Sequence, residues 1–415
     1  MKTSANTDAK RIWIGLGIAF LAVIMLIGVC GGIGAFSYAF TKGFKRAVEG
    51  SRTPAEPVYR TPSDDELLGF GQQLQEQLVA GDWAAVDDQM DWPAFEARTS
   101  AAMTTPARRA LATGGVTGMR SRGFSVVMNG GQPNDSLFSF RGVFPRDGVS
   151  RLRFRRVARQ GGFQFVELLV RARPDTDPRV IDAWSINTGE DLSSTLAEAL
   201  GGVRAANPSL LRRLGGQRNP WTTHGEELRR AQTLMADGRA EEALALLDAL
   251  PQVMRDSRLV SLLRVKAAAA TAPERYAAVL DEVAALRPDD PAVLVMLIDR
   301  HALAEQWAEA AADIQRIQLF LPDPYLDTVQ ARMEERAGHV ERALTLIEAA
   351  QTAEPELLDV HDVRMLIALR QGDMAVADRE LGILIRRFNV NAEQLAAMDG
   401  YAQIRALPSF ATPAP

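Results

Sequence analysis

The residues through which this chain could do chemistry are four histidines, one cysteine and one isolated acid in an apolar run. His224, His301, His339 and His361 include no pair at the helical spacing that zinc requires. Cys30 is the single cysteine, so neither an intramolecular disulfide nor a thiolate cage can form. Residues 51–223 hold no histidine and only one tyrosine, Tyr59. Asp182 sits beside Trp184 in an otherwise apolar stretch, and a buried acid with a raised pKa is a candidate general base. It shares its face with Val180, Trp184 and Ile186, and a bulge is expected to turn it to solvent. The chain is expected to be no enzyme, with no catalytic residue, no metal site and no cofactor.

A second set is cationic. Arg151, Arg153 and Arg155 alternate opposite Leu152 and Phe154, so in a strand the three guanidinium groups share one face. Arg141, Arg156, Arg159 and Arg171 lie close in sequence, with Asp147 and Glu167 between them. Arg151, Arg153 and Arg155 could contact anionic headgroups or an acidic partner, at about 1 kcal/mol per cation near a membrane surface. The competing expectation is a solvated face that discourages edge pairing. Nucleic acid is not an expected partner, because 47 Lys and Arg are outnumbered by 52 Asp and Glu, for a net charge of −5.

The elements that must carry these residues are signalled by a period. Ala243, Ala277, Ala310, Ala343 and Ala377 are 34, 33, 33 and 34 residues apart. Five residues before each stands Gly238, Ala272, Glu305, Gly338 or Gly372, a turn slot where glycine accepts positive φ. Pro288, Pro322 and Pro355 fall where a second helix must end. The pattern resembles the tetratricopeptide family over roughly residues 226–388, with a helix–turn–helix unit as the repeat. The family's first-helix aromatic positions are mostly missing. The resemblance implies a groove for a protein or peptide partner lined by first-helix residues: Leu294, Leu297, His301, Asp327, Gln330, Glu334, His361 and Arg364.

Between residues 64 and 205 the pattern is helices first, then strands. Ser63 with Glu66 forms a capping-box signal before an apolar helix. Period-two runs follow at Phe124–Met128, Ser136–Phe144, Val149–Val157, Phe163–Val170 and Arg179–Ile186, then a helix from Asp191. This order predicts an α+β domain. It resembles the NTF2-like (cystatin-like) cone, carried by element order and the Ala80-Gly81-Asp82-Trp83 break. That resemblance implies a second functional reading, a small-ligand-binding or sensing pocket lined by Phe138, Phe140, Phe154, Phe163, Phe165 and Trp184.

Ile12 to Phe40 is a run of 29 residues without a charge, long enough to cross a bilayer with tilt. Gly28 and Gly32 form a G-x-x-x-G step that could pair two such helices into a homodimer. The expected organisation is multidomain: a short tail 1–11, a single transmembrane helix 12–40, a Pro-rich linker 41–63 and an α+β domain 64–205. A linker 206–225, an all-α tetratricopeptide-like array 226–407 and a disordered tail 408–415 complete it. The expectation is a scaffold in a bacterial inner (cytoplasmic) membrane, anchored by residues 12–40, with its soluble part on the extracytoplasmic side.

Overall fold

The computed structural model describes residues 58–411, apart from 102–105, 122, 126–127, 129–135, 159–161, 206–219 and 399. Among the described residues no helix is long and apolar enough to cross a membrane. The expected membrane helix at 12–40, with Cys30 and the Gly28/Gly32 step, lies outside the described residues. The single-pass fold class and the inner-membrane location are corrected accordingly: the described fold is helices and one antiparallel sheet. The chain divides into two compact units, one ending at Arg287 and the other beginning at Pro288.

The first unit opens on α1 (Asp64–Ala80). The Ser63 hydroxyl accepts from the Glu66 amide and the Glu66 carboxylate accepts from the Ser63 amide, while Gly81 closes the helix in the left-handed region. Arg60, just before it, pairs with Ala172 through both backbone groups, so this residue of the expected linker is tied beside the end of the third strand. Helices α2 (Trp83–Asp88), α3 (Trp92–Ala101) and α4 (Pro106–Arg120) follow. The expected first strand at Phe124–Met128 is not one. Ser125 and Met128 are helical, and the Met128 amide donates to the Phe124 carbonyl. A short apolar run satisfies both periods, and burial of Phe124 and Met128 on one helical face decides it.

The sheet is an antiparallel meander of β1 (Ser136–Arg146), β2 (Val149–Ala158), β3 (Phe163–Arg171), β4 (Arg179–Ser185) and β5 (Glu190–Asp191), in that order. One face presents Leu152, Phe154, Val166, Leu168 and Ala183, which bury Leu67, Phe70, Leu74 and Leu78 of α1. Burying each such side chain stabilises by about 1.5–3 kcal/mol. The approach is close: a Cβ at Gly71 would lie 2.3 Å from the Phe140 ring. A bulge between Phe140 and Gly142 then inverts the alternation of β1, so Phe144 faces the opposite side.

α5 (Leu192–Ala205) leaves the sheet directly from β5. After α6 (Pro220–Thr223) come α7 (Gly225–Ala236), α8 (Ala240–Asp248), α9 (Gln252–Arg255), α10 (Arg258–Ala269) and α11 (Pro273–Leu286). Glu198 of α5 accepts from the Leu259 amide at 3.3 Å, which places a carboxylate on the first turn of α10. Burial pushes Glu198 above its ordinary range, against the pull of that amide and of Arg258 and Arg287.

The second unit stacks three antiparallel helix pairs: α12 (Pro291–Leu303) with α13 (Trp307–Gln318), α14 (Pro324–Arg336) with α15 (Val340–Ala353), and α16 (Leu358–Gln371) with α17 (Met374–Phe388). Across both units the turn slots behave alike: Gly238, Glu305, Gly338 and Gly372 all have positive φ. Ala272 does not, since Pro273 holds its neighbour extended. Ala243, Ala310, Ala343 and Ala377 are wholly buried, but Ala277 is not. The other second helices begin three residues before the alanine and α11 begins four before, so Tyr276 takes the buried place instead. The stack ends on α18 (Ala392–Ala396), a 3-10 turn at Ala402–Ala406 and α19 (Pro408–Ala411). The tail expected to lack structure thus begins with a helical turn, its Ser409 amide donating to Asp378.

Candidate functional site

The second face of the sheet carries the charges. Register places Arg151 beside Leu169 and then Asp182, Arg153 beside Glu167 and then Trp184, and Trp184 beside Asp191. Arg151, Arg153 and Arg155 do share this face, as their alternation requires, but they are buried rather than solvated. The expected anionic contact surface is corrected on that point. β2 lies between β1 and β3 instead of at an edge, and its guanidinium groups lie over neighbouring strands. Arg153 donates to Glu167 at 2.9 Å and its guanidinium carbon sits 3.8 Å from the Phe144 ring centroid. Arg146 reaches the same Glu167 and covers Trp184 at 3.8 Å. Such stacking satisfies a planar cation on an aromatic face.

Asp182 is also buried, not turned to solvent. Its Oδ1 accepts from the Ala183 and Ser193 amides, at 2.9 and 3.1 Å. Its Oδ2 accepts from the Ser193 hydroxyl at 2.5 Å and from Arg98 Nε at 2.7 Å. Ser193 lies in the first turn of α5, where the helix favours a negative charge. Burial, followed by the nearby Asp191 carboxylate, pushes Asp182 above its ordinary range against Ser193 and Arg98. With four donors on its two oxygens, Asp182 serves as a structural acceptor between β4, α3 and α5.

The residues expected to line a groove fall on α12, α14 and α16, the first helix of each pair. They are not brought together at one surface. Leu294, Leu297, Gln330, Glu334 and His361 are buried, while His301, Asp327 and Arg364 are partly exposed. Several of them tie helices together. His301 Nδ1 donates to Asp313 of α13 at 2.8 Å. His339 Nδ1 donates to Glu334 at 2.8 Å, and Gln330 lies 3.5 Å from the same carboxylate. His361 Nδ1 donates to Glu380 of α17 at 2.7 Å. Asp327 accepts from Gln318 at 2.5 Å, and burial raises its pKa. Arg364 donates to Gln351 at 2.8 Å.

No known protein family, curated protein or solved structure matches this chain. The tetratricopeptide and NTF2-like resemblances therefore gain no support, and the tetratricopeptide assignment is set aside. What stands is the geometry of the helix pairs. The aromatic set expected around a pocket also divides. Phe138 and Phe154 belong to the core against α1, with Phe140 packed on it, whereas Phe163, Phe165 and Trp184 project from the opposite, charged face.

The carboxylates that hold these groups, Glu167, Asp191, Asp313 and Glu380, carry no motif; proximity in sequence marked only Glu167. Arg98, which joins α3 to both Asp182 and Asp191, is one arginine among many. A further triad closes the second unit: Asp362 accepts from Arg332 at 2.5 Å and from the Tyr401 hydroxyl at 2.7 Å. Burial and the adjoining Asp362 push the Tyr401 phenol well above its usual range.

Proposed function

We propose that this chain is a non-catalytic scaffold that holds a protein or peptide partner on its helix pairs. One observation carries the reading. In each of the three pairs after Pro288 a histidine that could act in catalysis is spent on a carboxylate within the stack: His301 on Asp313, His339 on Glu334, His361 on Glu380. Polar groups used repeatedly to join helices make a rigid frame, and a rigid frame loses less conformational entropy on binding. The inner helices α12, α14 and α16 are largely buried, whereas α13, α15 and α17 each present an exposed face. Leu319, just past the end of α13, is 83% exposed and Met374, the first residue of α17, is 41% exposed, so apolar side chains stand exposed at the ends of two of these helices.

The test is a displayed-peptide selection on the full chain, followed by calorimetry on the selected peptides. Saturable binding weakened at least tenfold by Leu319→Asp or Met374→Asp is expected. Both side chains are exposed, so the fold should tolerate the changes. Peptide binding that neither substitution alters, or no saturable binding at all, would refute the proposal.

A further inference from the structure

At the α3 end of the charged sheet face, two guanidinium groups meet two carboxylates, and a third guanidinium carries like charge close to them. Arg98 gives Nε to Asp182 and Nη2 to Asp191. Arg151 gives both Nη groups to Asp191, at 2.5 and 3.2 Å, and its Nε is buried with no partner among the described residues. The third is Arg171 on β3, two residues beyond Leu169, the residue that separates Arg151 from Asp182 in the register. Among the described residues its one hydrogen bond runs from Nη1 to the carbonyl of Val170, its own neighbour, and no carboxylate pairs with it.

We propose that Arg171, with Arg98 beside it, forms a binding site for a small oxyanion, a carboxylate or phosphate group. The electrostatics point the same way. Burial lowers the Arg171 pKa, and the like charges of Arg98 and Arg151 lower it further, so this corner carries one more cation than Asp182 and Asp191 neutralise. Asp182 and Asp191 are already spent: all four of their oxygens accept hydrogen bonds from Arg98, Arg151, Ser193 or Ala183. They cannot swing over to Arg171 without breaking contacts that hold α3 and α5. A planar guanidinium offers two parallel donors to an oxyanion, and partial burial strengthens the attraction over that in water. The Arg98 side chain is 37% exposed, which leaves the corner open to solvent on that side.

The experiment measures melting of the full chain in sodium phosphate and in sodium acetate, each against chloride at equal ionic strength. Binding to the folded state should raise the wild-type Tm by about 3 °C or more. Arg171→Gln should abolish that increment without lowering the Tm in chloride, since it removes a repelled charge. The surface substitution Arg229→Gln should keep the wild-type response. A rise in phosphate alone assigns a phosphate group, and a rise in acetate alone assigns a carboxylate. The same rise in Arg171→Gln as in wild type would mark general salting-out and overturn the proposal, as would no rise in either anion. If Arg171→Gln does not fold, Arg171→Lys replaces it. Retained charge without the fork should then shrink the rise at least by half, and an undiminished rise would overturn the site.

Discussion

Placing one arginine at two positions of the same period tests the helix pairing. Ala343 lies on α15 with no exposed surface, against α14. An arginine there must carry its whole side chain between two packed helices. Glu334, a buried acid of α14, is already held by His339 and Arg342. An uncompensated buried cation costs about 3–5 kcal/mol, and overpacking adds about 1–3 kcal/mol. Partial escape of the guanidinium to water offsets some of this, so we expect Ala343→Arg to cost about 4 kcal/mol. Ala277 holds the matching place in the sequence period, but its site is partly exposed and Tyr276 is the buried residue. Ala277→Arg should therefore stay within about 0.5 kcal/mol of wild type. Urea unfolding followed by circular dichroism at 222 nm reads both, because the midpoint shifts with stability at constant slope. Equal losses in the two variants, or an unchanged midpoint for Ala343→Arg, would show that the one-residue shift in α11 and the alanine contact in α15 are wrongly placed.

Two further outcomes follow from the same structure. Glu305 stands at φ 58° in a turn where three other pairs use glycine, so Glu305→Gly should raise stability by about 0.5–1 kcal/mol, read as a higher Tm, whereas Glu305→Val should lower it. Burial opposes ionisation of Glu380, yet His361, Arg364 and Arg379 hold its pKa below the ordinary value. A depressed folded pKa gives stability that is present above the unfolded value near 4.3 and lost as pH falls through the folded one. The stability gap between wild type and Glu380→Gln should therefore narrow on acidification below about pH 4, and a gap constant from pH 6 to 3 would contradict the pairing.

What could be read from the sequence was what neighbours in sequence decide. The Ser63–Glu66 box, the four later strands, and the turns at Gly238, Gly338 and Gly372 follow from interactions spanning a few residues. The site chemistry was not legible, because its partners are distant. Arg98 meets Asp182 across 84 residues and Arg151 meets Asp191 across 40. Alternation correctly put Arg151, Arg153 and Arg155 on one face, but it could not reveal that this face is buried. The period-two run at Phe124–Met128 failed for a related reason, since an i, i+4 pair fits a helix equally well. Proline at the first position of the second helix of one pair moved its start by a residue, which an alanine count alone cannot detect.

The far face of the last helix pair has a consequence for how this architecture can change in length. Leu381 and Leu384 of α17 are covered by Leu395, Tyr401, Ile404 and Leu407, with Tyr401 bonded to Asp362 of α16. Stacked pairs usually gain or lose members by duplication, because each new pair finds the same open apolar surface as the one before. Here that surface is already occupied by a segment of different geometry. A duplicated pair inserted after Phe388 would have to displace the segment and leave Arg332 without its phenol-braced carboxylate, whereas a pair duplicated earlier in the stack would meet no such obstacle. Insertions should therefore be tolerated internally and rejected at this end, which makes the closing segment a fixed terminus for the stack.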